Sequence, residues 1–151
     1  MNKHNFAPTI LRAYDIRGID QDTLTEADAH AIGMAFIATL RQRGHGVTVA
    51  VGRDGRLSSP ALAAALIDGL VQAGGEVRDI GCGPTPMLYF AGVTWQCDGA
   101  IQVTGSHNPP THNGFKMVMN GKSFFGDDIQ QLGQISPAGV ANLDGGTAPA
   151  T

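Results

Sequence analysis

The segment 104–110 places a hydroxyl, an imidazole and an amide side by side, and it is the chain's clearest candidate for chemistry. Its sequence is Thr-Gly-Ser-His-Asn-Pro-Pro, so that Ser106, His107 and Asn108 follow Gly105. The glycine frees the backbone ahead of the serine, and the two prolines stiffen it afterwards. Such a loop can present a serine hydroxyl as the nucleophile of phosphoryl transfer. The same residue types also build ordinary polar turns, so this segment alone leaves both interpretations open.

A lysine follows the loop in the segment 113–116, which reads Asn-Gly-Phe-Lys. Neighbouring side chains of a strand point to opposite faces, so Phe115 is expected in the core and Lys116 toward the loop or cleft. A lysine beside a phosphate can neutralise charge or transfer a proton. Considered without the loop, Lys116 would be interpreted as a solvated lysine at a sheet edge.

A tyrosine and an arginine stand close together in the segment 13–18, which reads Ala-Tyr-Asp-Ile-Arg-Gly. At the end of a strand, Tyr14 and Arg17 can bind an anion or a sugar hydroxyl, because the guanidinium group suits phosphate and the phenol can donate a hydrogen bond. The alternative is a surface strand in which Asp15 pairs with an arginine.

Two further arginines lie in the segment 52–58, which reads Gly-Arg-Asp-Gly-Arg-Leu-Ser. Together they can clamp a phosphate. The alternative is a structural turn, in which Asp54 pairs with an arginine and Ser58 or Ser59 caps the helix that follows.

Three competing motifs do not fit the sequence. The segment 81–86 lacks the third glycine of a dinucleotide-binding loop and the lysine of a P-loop. A nucleophile elbow needs glycines two positions on either side of the serine, which the segment around Ser106 does not provide. His107 and His112 lie five apart across two prolines, and no third zinc ligand is evident.

Apolar periodicity predicts strands that alternate with helices, which indicates an α/β fold with helices on both faces of the sheet. We expect a three-layer α/β/α domain with a mixed, mostly parallel sheet. The last strand is expected to be antiparallel, because its connection is too short for a crossover helix. Ligands of such sheets bind outside the carboxyl ends of the strands, where the segments above fall. The predicted strands are 10–17, 47–51, 77–80, 99–104 and 115–119, and the predicted helices follow Thr25, start at Ser59, and cover 87–93 and 127–135.

The chain has 151 residues, of which 42% are hydrophobic and 15% charged, and this composition fits one folded domain. We predict a domain over residues 1–135 and a linker or frayed end over 136–151, where glycine, proline and alanine accumulate without periodicity. The net charge of -3 and the absence of a basic stripe argue against nucleic acid as a partner.

No stretch approaches the ~20 apolar residues of a membrane span, and the N-terminus does not resemble a signal peptide. Two cysteines, Cys82 and Cys97, form no CxxC pair. They are interpreted as buried free thiols, which favours a reducing compartment and a cytoplasmic location.

The four segments 13–18, 52–58, 104–110 and 113–116 follow one another in an order that resembles the phosphoglucomutase/phosphomannomutase family of α-D-phosphohexomutases. The resemblance runs from about Ile10 to Phe125 and concerns the family's N-terminal domain I. The bacterial type that acts on both glucose and mannose phosphates looks closest.

The resemblance implies that Ser106 is a catalytic phosphoserine, which exchanges its phosphoryl group with a hexose monophosphate through a hexose 1,6-bisphosphate. His107 and Lys116 would serve the proton transfers and stabilise charge, and Arg17 would contact the transferring phosphate. The substrates implied are glucose or mannose 1-phosphate and 6-phosphate.

The resemblance also implies a substrate-binding set of Tyr14, Arg17, Asn108 and Lys116, with Tyr14 lining the cleft. A Mg²⁺ ion would bind the phosphate carried by Ser106 and neutralise charge in the transition state.

Members of the family have four domains, and the chain resembles only the first. It lacks the aspartate-rich metal loop, the sugar-selecting loop and the C-terminal phosphate-binding domain. We therefore expect the isolated chain to have little or no mutase activity and to need the remaining mutase domains as partners, since a hard cation needs several oxygen ligands. Two alternatives stay open. One is a non-catalytic sugar-phosphate binding or assembly module with the same fold, and the other is a different serine-based phosphotransferase or hydrolase.

Overall fold

The structure, a computed structural model, describes residues 16–19, 24–105 and 112–123. Within them, strands and helices alternate as the sequence predicts. In chain order they are β1 (Ile16–Ile19), α1 (Glu26–Gln42), β2 (Thr48–Arg53), α2 (Ser59–Gln72), β3 (Glu76–Cys82), α3 (Thr85–Thr94), β4 (Gly99–Val103), β5 (His112–Met119) and β6 (Lys122–Ser123).

The six strands form one mixed sheet in the order β1-β5-β4-β2-β3, with β6 paired to β5. Strand β2 is parallel to both β3 and β4, whereas β5 is antiparallel to β4, β1 and β6. Five of these described strands therefore run in one direction and only β5 is reversed. The expected mixed, mostly parallel sheet is confirmed. One end of the sheet, here called the carboxyl end, collects the last residues of β1 to β4 and the first residues of β5.

Helices cover both faces of the sheet, which confirms the expected three layers. On one face, α1 and α2 pack over the larger core, which includes Val51, Ile101 and Phe115. On the other face, Leu88 of α3 packs with Ala50 and Ala100 in a smaller cluster. Phe115 is fully buried, as its place in the strand predicts.

Helix α1 begins with a complete capping box, in agreement with the sequence. The Asp28 amide donates to the Thr25 hydroxyl over 3.3 Å, and the Thr25 amide donates back to the Asp28 carboxylate over 2.8 Å. These bonds satisfy amides that have no partner within the helix.

Helices α1 and α2 approach each other most closely at two glycines. A Cβ atom at Gly33 would lie 2.5 Å from the carbonyl oxygen of Leu66, and one at Gly69 would collide with the carbonyl oxygen of His30. Glycine is therefore required at both positions by the approach of the facing backbone.

The start of α2 differs from the prediction. Ser58 occupies the N-cap position, but its side chain makes no capping hydrogen bond. The hydroxyl of Ser59 donates instead to the carboxylate of Asp54 over 2.5 Å. The predicted serine cap is therefore wrong, because the half-buried Asp54 carboxylate accepts the hydrogen bond of the Ser59 hydroxyl.

The interpretation of both cysteines as buried is also wrong. Cys82 is exposed, because it ends β3, an edge strand of the sheet. Cys97 is half-buried, and burial raises the pKa of its thiol.

Most strand boundaries move by one to three residues, and several predictions lie outside the described residues. Strand β1 continues to Ile19, two residues beyond its predicted end, because Gly18 pairs with Asn113 of β5. Strand β5 starts at His112, three residues before its predicted start. The predicted helix 127–135 and segment 136–151 fall outside the described part. No helix in that part is long and apolar enough to cross a membrane.

Candidate active site

The strand order brings parts of the four predicted segments together at the carboxyl end. Strand β5 lies between β1 and β4, and β4 lies beside β2. Arg17 of β1 pairs with Gly114 of β5, and Val103 of β4 pairs with both Phe115 of β5 and Arg53 of β2. Side chains far apart in the sequence thus share one end of the sheet because of this topology.

The carboxylate of Asp54 is the centre of the described site. It accepts hydrogen bonds from the backbone amide of Gly105 and the hydroxyl of Thr104, both at 3.0 Å. It also accepts from the Arg56 amide at 3.1 Å and from Arg56 Nε at 3.2 Å, and from Ser59. The backbone amide of Asp54 itself donates to the Val103 carbonyl at 2.9 Å. The predicted pairing of Asp54 with an arginine is confirmed, and Arg56 is the partner.

Burial alone would raise the pKa of Asp54. The hydrogen bonds that its carboxylate accepts, from Ser59 and Arg56 first, act in the opposite direction and stabilise the charged form. Their combined effect is larger, so the pKa of Asp54 lies below its ordinary value of 3.8. The group is therefore an anion at neutral pH, and an acceptor for every donor around it.

A second set of hydrogen bonds ties the beginning of β5 to α2. The side-chain amide of Asn113, which is fully buried, donates to the hydroxyls of Ser58 at 2.8 Å and Ser59 at 2.9 Å. Its carbonyl oxygen accepts from the Gly114 amide at 2.9 Å. Because Ser59 donates in turn to Asp54, Asn113 is linked to the same carboxylate as Gly105.

Lys116 lies on the face of the sheet opposite Phe115 and is half-buried. Its neighbour across the strand pair is Gln102, whose side chain is 1% exposed. Gln102 Nε2 donates to the Gly83 carbonyl at 2.8 Å, and its Oε1 has no hydrogen-bond partner. The prediction that Lys116 faces away from the core of Phe115 agrees with this arrangement.

The structure describes only some of the residues singled out in the sequence. Tyr14, Ser106, His107 and Asn108 lie outside the described residues, and so does the side chain of Arg17. Their roles stay predictions. Sequence reasoning missed the part played by Thr104, Ser59 and Asn113, although all three lie in or beside segments already chosen. What could have identified them in the sequence is that polar residues stand next to a buried strand.

The described residues do not form a metal site of their own. Within 16–19, 24–105 and 112–123, no group of three or more His, Cys, Asp or Glu side chains could hold a metal ion. Asp54 already accepts the hydrogen bonds described above. The predicted contact between Mg²⁺ and a phosphate on Ser106 falls outside these residues and stays a prediction.

The three layers and the mixed, mostly parallel sheet define an α/β/α domain, and ligands of such sheets bind outside the carboxyl ends of the strands. The match to a known protein family gives a more specific assignment than the fold does. A family model described as phosphoglucomutase/phosphomannomutase, alpha/beta/alpha domain I, matches residues 8–139. The chain therefore belongs to the phosphoglucomutase/phosphomannomutase family and corresponds to domain I.

Individual relatives agree with this assignment. The chain is 49% identical over 130 residues to a phosphomannomutase/phosphoglucomutase of Pseudomonas aeruginosa, covering 83% of this chain and 28% of the relative. It is 43% identical over 131 residues to a phosphomannomutase of Klebsiella pneumoniae, covering 83% of this chain and 81% of that relative.

A crystal structure of a phosphoglucomutase/phosphomannomutase family protein from Burkholderia thailandensis superposes with a TM-score of 0.80 at 44% identity, covering 91% of this chain and 31% of that one. The chain thus spans less than a third of the Pseudomonas and Burkholderia relatives.

Proposed function

We propose that the chain is the phosphoserine-carrying domain of a hexose-phosphate mutase, with Ser106 as the residue that gives and receives the phosphoryl group. One observation of the structure supports this most. The backbone immediately before Ser106, at Gly105, donates its amide to the half-buried carboxylate of Asp54 at the carboxyl end of the sheet and lies against the guanidinium of Arg56. Exposed loops on a rigid sheet are where such chemistry is usually built.

The proposed reaction has two transfers. In the first, a hydroxyl oxygen of a hexose monophosphate attacks the phosphorus on Ser106, the bond between Ser106 Oγ and phosphorus breaks, and a hexose 1,6-bisphosphate forms. A base, for which His107 is proposed, takes the hydroxyl proton, and Lys116 is proposed to give a proton to the departing Ser106 Oγ and to offset the developing charge; the two proton transfers run in reverse in the second step. In the second, Ser106 Oγ attacks the other phosphorus of the bisphosphate, which releases the isomeric monophosphate and restores the phosphoserine.

The remaining roles follow from the same assignment. Arg17 is proposed to contact the transferring phosphate, and Tyr14 and Asn108 to bind the sugar. Mg²⁺ supplies charge neutralisation when bound, with ligands beyond the described residues. We propose the cytoplasm as the location, where free thiols such as Cys82 and Cys97 persist.

The test is a hybrid enzyme, in which this chain replaces the matching 130 residues of the Pseudomonas aeruginosa relative. Purified hybrid is assayed for conversion of glucose 1-phosphate and mannose 1-phosphate to the 6-phosphates, and intact mass reports a phosphoryl group on Ser106. We expect turnover, and we expect Ser106→Ala to lower kcat by at least about a thousandfold, since the covalent carrier is lost.

Ser136→Ala serves as the matched control and should keep both turnover and the phosphoryl group. Two results contradict the proposal: a Ser106→Ala hybrid that retains full activity, or a hybrid that binds hexose phosphate tightly without transferring phosphate. The second result would favour the non-catalytic binding module. The 151-residue chain alone is expected to show little or no turnover, because sugar and metal contacts of the other domains are missing.

A further inference from the structure

The residues on either side of the segment that carries Ser106 are hydrogen-bonded, directly or through one hydroxyl, to the half-buried side chain of Asp54. Gly105, directly before Ser106, donates its amide to the Asp54 carboxylate at 3.0 Å. On the far side, Asn113 donates to the hydroxyl of Ser59 at 2.9 Å, and Ser59 donates to Asp54. The two ends thus meet on a single anion, one directly and one through a hydroxyl.

The bonds to Asp54 add to the sheet ladder at this end. A backbone hydrogen bond from the Thr104 amide to the Gly114 carbonyl, 2.9 Å long, closes the β4–β5 pair, and Asn113 pairs with Gly18 of β1. The amide of Gly105, one residue beyond that bond, and the side chains of Thr104 and Asn113 are held in addition by Asp54, directly or through Ser59. The residues involved are well shielded, since Thr104 is 7% exposed and Ser59 is fully buried.

The side chain of Arg56 also packs against the backbone of Gly105. Its guanidinium, paired with Asp54 at 3.2 Å, occupies the space that a Cβ atom at Gly105 would need. The backbone ahead of Ser106 is thus held between a carboxylate that accepts its amide and a cation packed against its α-carbon. Such double contact leaves little freedom for the peptide that leads into the serine.

We propose that Asp54 is a positioning residue for phosphoryl transfer, which fixes both ends of the serine loop through Thr104, Gly105 and the Ser59–Asn113 pair; the inference rests on the proposed role of Ser106. In this proposal Asp54 acts through its hydrogen bonds to the protein, and its role is to keep the attacking or leaving oxygen of Ser106 in line with phosphorus. A displacement of about 1 Å at a reacting centre can cost on the order of a hundredfold in rate.

Two variants remove hydrogen bonds to or from Asp54 without changing the shape of the site. Asp54→Asn replaces an acceptor-only group by an amide, and Thr104→Val replaces a hydroxyl by a methyl. Thr104→Ser keeps the hydroxyl and is the rescue variant. Asp68→Asn, which changes an exposed carboxylate of α2 that lies 3.3 Å from His30 Nε2 of α1, is the control. If Asp54→Asn does not fold, the Thr104 pair carries the whole test.

The first measurement is hydrogen exchange on the 151-residue chain, which needs no activity. We expect the backbone amides of Thr104, Gly105 and Gly114 to exchange roughly tenfold faster in Thr104→Val and Asp54→Asn, with those of α1 unchanged. Thr104→Ser and Asp68→Asn should match the parent chain. Unchanged exchange at these three amides in the first two variants overturns the anchoring, whatever the enzyme does.

The second measurement is kinetics of the hybrid enzyme. We expect Thr104→Val to lower kcat about tenfold to a hundredfold with KM changed less than about threefold, because binding of the sugar phosphate is left intact. Thr104→Ser restores kcat. Equal losses in Thr104→Val and Thr104→Ser, or a loss confined to KM, overturn the positioning role. An inactive parent hybrid refutes the proposed function instead, and the exchange experiment still decides the anchoring.

Discussion

At the scale of single residues, the described site is organised by a carboxylate that does no chemistry. Desolvation opposes the charge of Asp54, but donors from a turn, a helix start and the end of a strand outweigh it. Partly buried charges of this kind are tolerated when hydrogen bonds compensate for the lost solvation. Removing the charge weakens the acceptor that several donors share, which is why the change has consequences for folding and for pH dependence.

We predict that the parent chain loses stability in acid through Asp54. Its pKa is lower in the folded state than the ordinary value of 3.8, so the stabilisation is present above that value and is lost as the pH falls through the folded pKa. The gap in free energy of unfolding between parent and Asp54→Asn should be largest above about pH 5 and shrink toward about pH 3. Urea unfolding followed by circular dichroism measures it. A gap that is constant with pH contradicts the prediction, and Asp68→Asn is the control.

Sequence reasoning recovered part of this site. The pair between Asp54 and Arg56 was predictable, because the two residues lie in one short turn and their charges are complementary. The contact between Asn113 and Ser59 was not, since 54 positions separate them and only the strand order brings them together. Ser59 stands next to a proline, which indicates a helix start. This local interpretation gave no indication that the Ser59 hydroxyl would bind Asp54.

At the scale of elements, helix boundaries agreed with the sequence better than strand boundaries did. The capping box at Thr25 specifies its own geometry within four residues. The ends of β1 and β5 instead depend on each other, because Gly18 pairs with Asn113 across the sheet. The end of a strand therefore depends on the strand that it pairs with. That partner is distant in the sequence, so a local sequence pattern contains no information about it.

We predict opposite effects for alanine at different helical glycines. Gly69→Ala and Gly33→Ala should lower the free energy of unfolding by about 1–3 kcal/mol, because the new methyl meets the backbone of the facing helix. Gly92→Ala in α3 is the matched control. Its Cβ would lie 3.6 Å from that of Ala100, an ordinary contact, so the change should be neutral or stabilise by up to about 1 kcal/mol. Thermal unfolding compares the three, and equal effects would refute the close approach.

At the scale of the whole molecule, the two helical layers are unequal. The α1–α2 side packs a core of large apolar residues, whereas α3 is held mainly through Leu88, with Phe90 and Val93 72% and 78% exposed. Layers with few buried contacts open at lower free energy than the rest.

We therefore predict that the amides of α3 exchange at least tenfold faster than those in the middle of α1. Leu88→Ala should accelerate α3 further and cost about 2–5 kcal/mol, while Phe90→Ala should stay within about 0.5 kcal/mol of the parent. Hydrogen exchange followed by mass spectrometry measures the exchange rates of the amides of α1 and α3 in one experiment. Uniform protection of the two helices is the result that would contradict the prediction.

The single reversed strand has a further consequence for how the domain can be altered. Because β5 runs back from the carboxyl end, the chain returns to the sheet at His112, seven positions after Gly105. Loop-closure entropy grows only slowly with loop length, so we expect the sheet to tolerate changes in the number of residues between these two positions. Length at this point of the chain can then vary while the order of the strands stays the same.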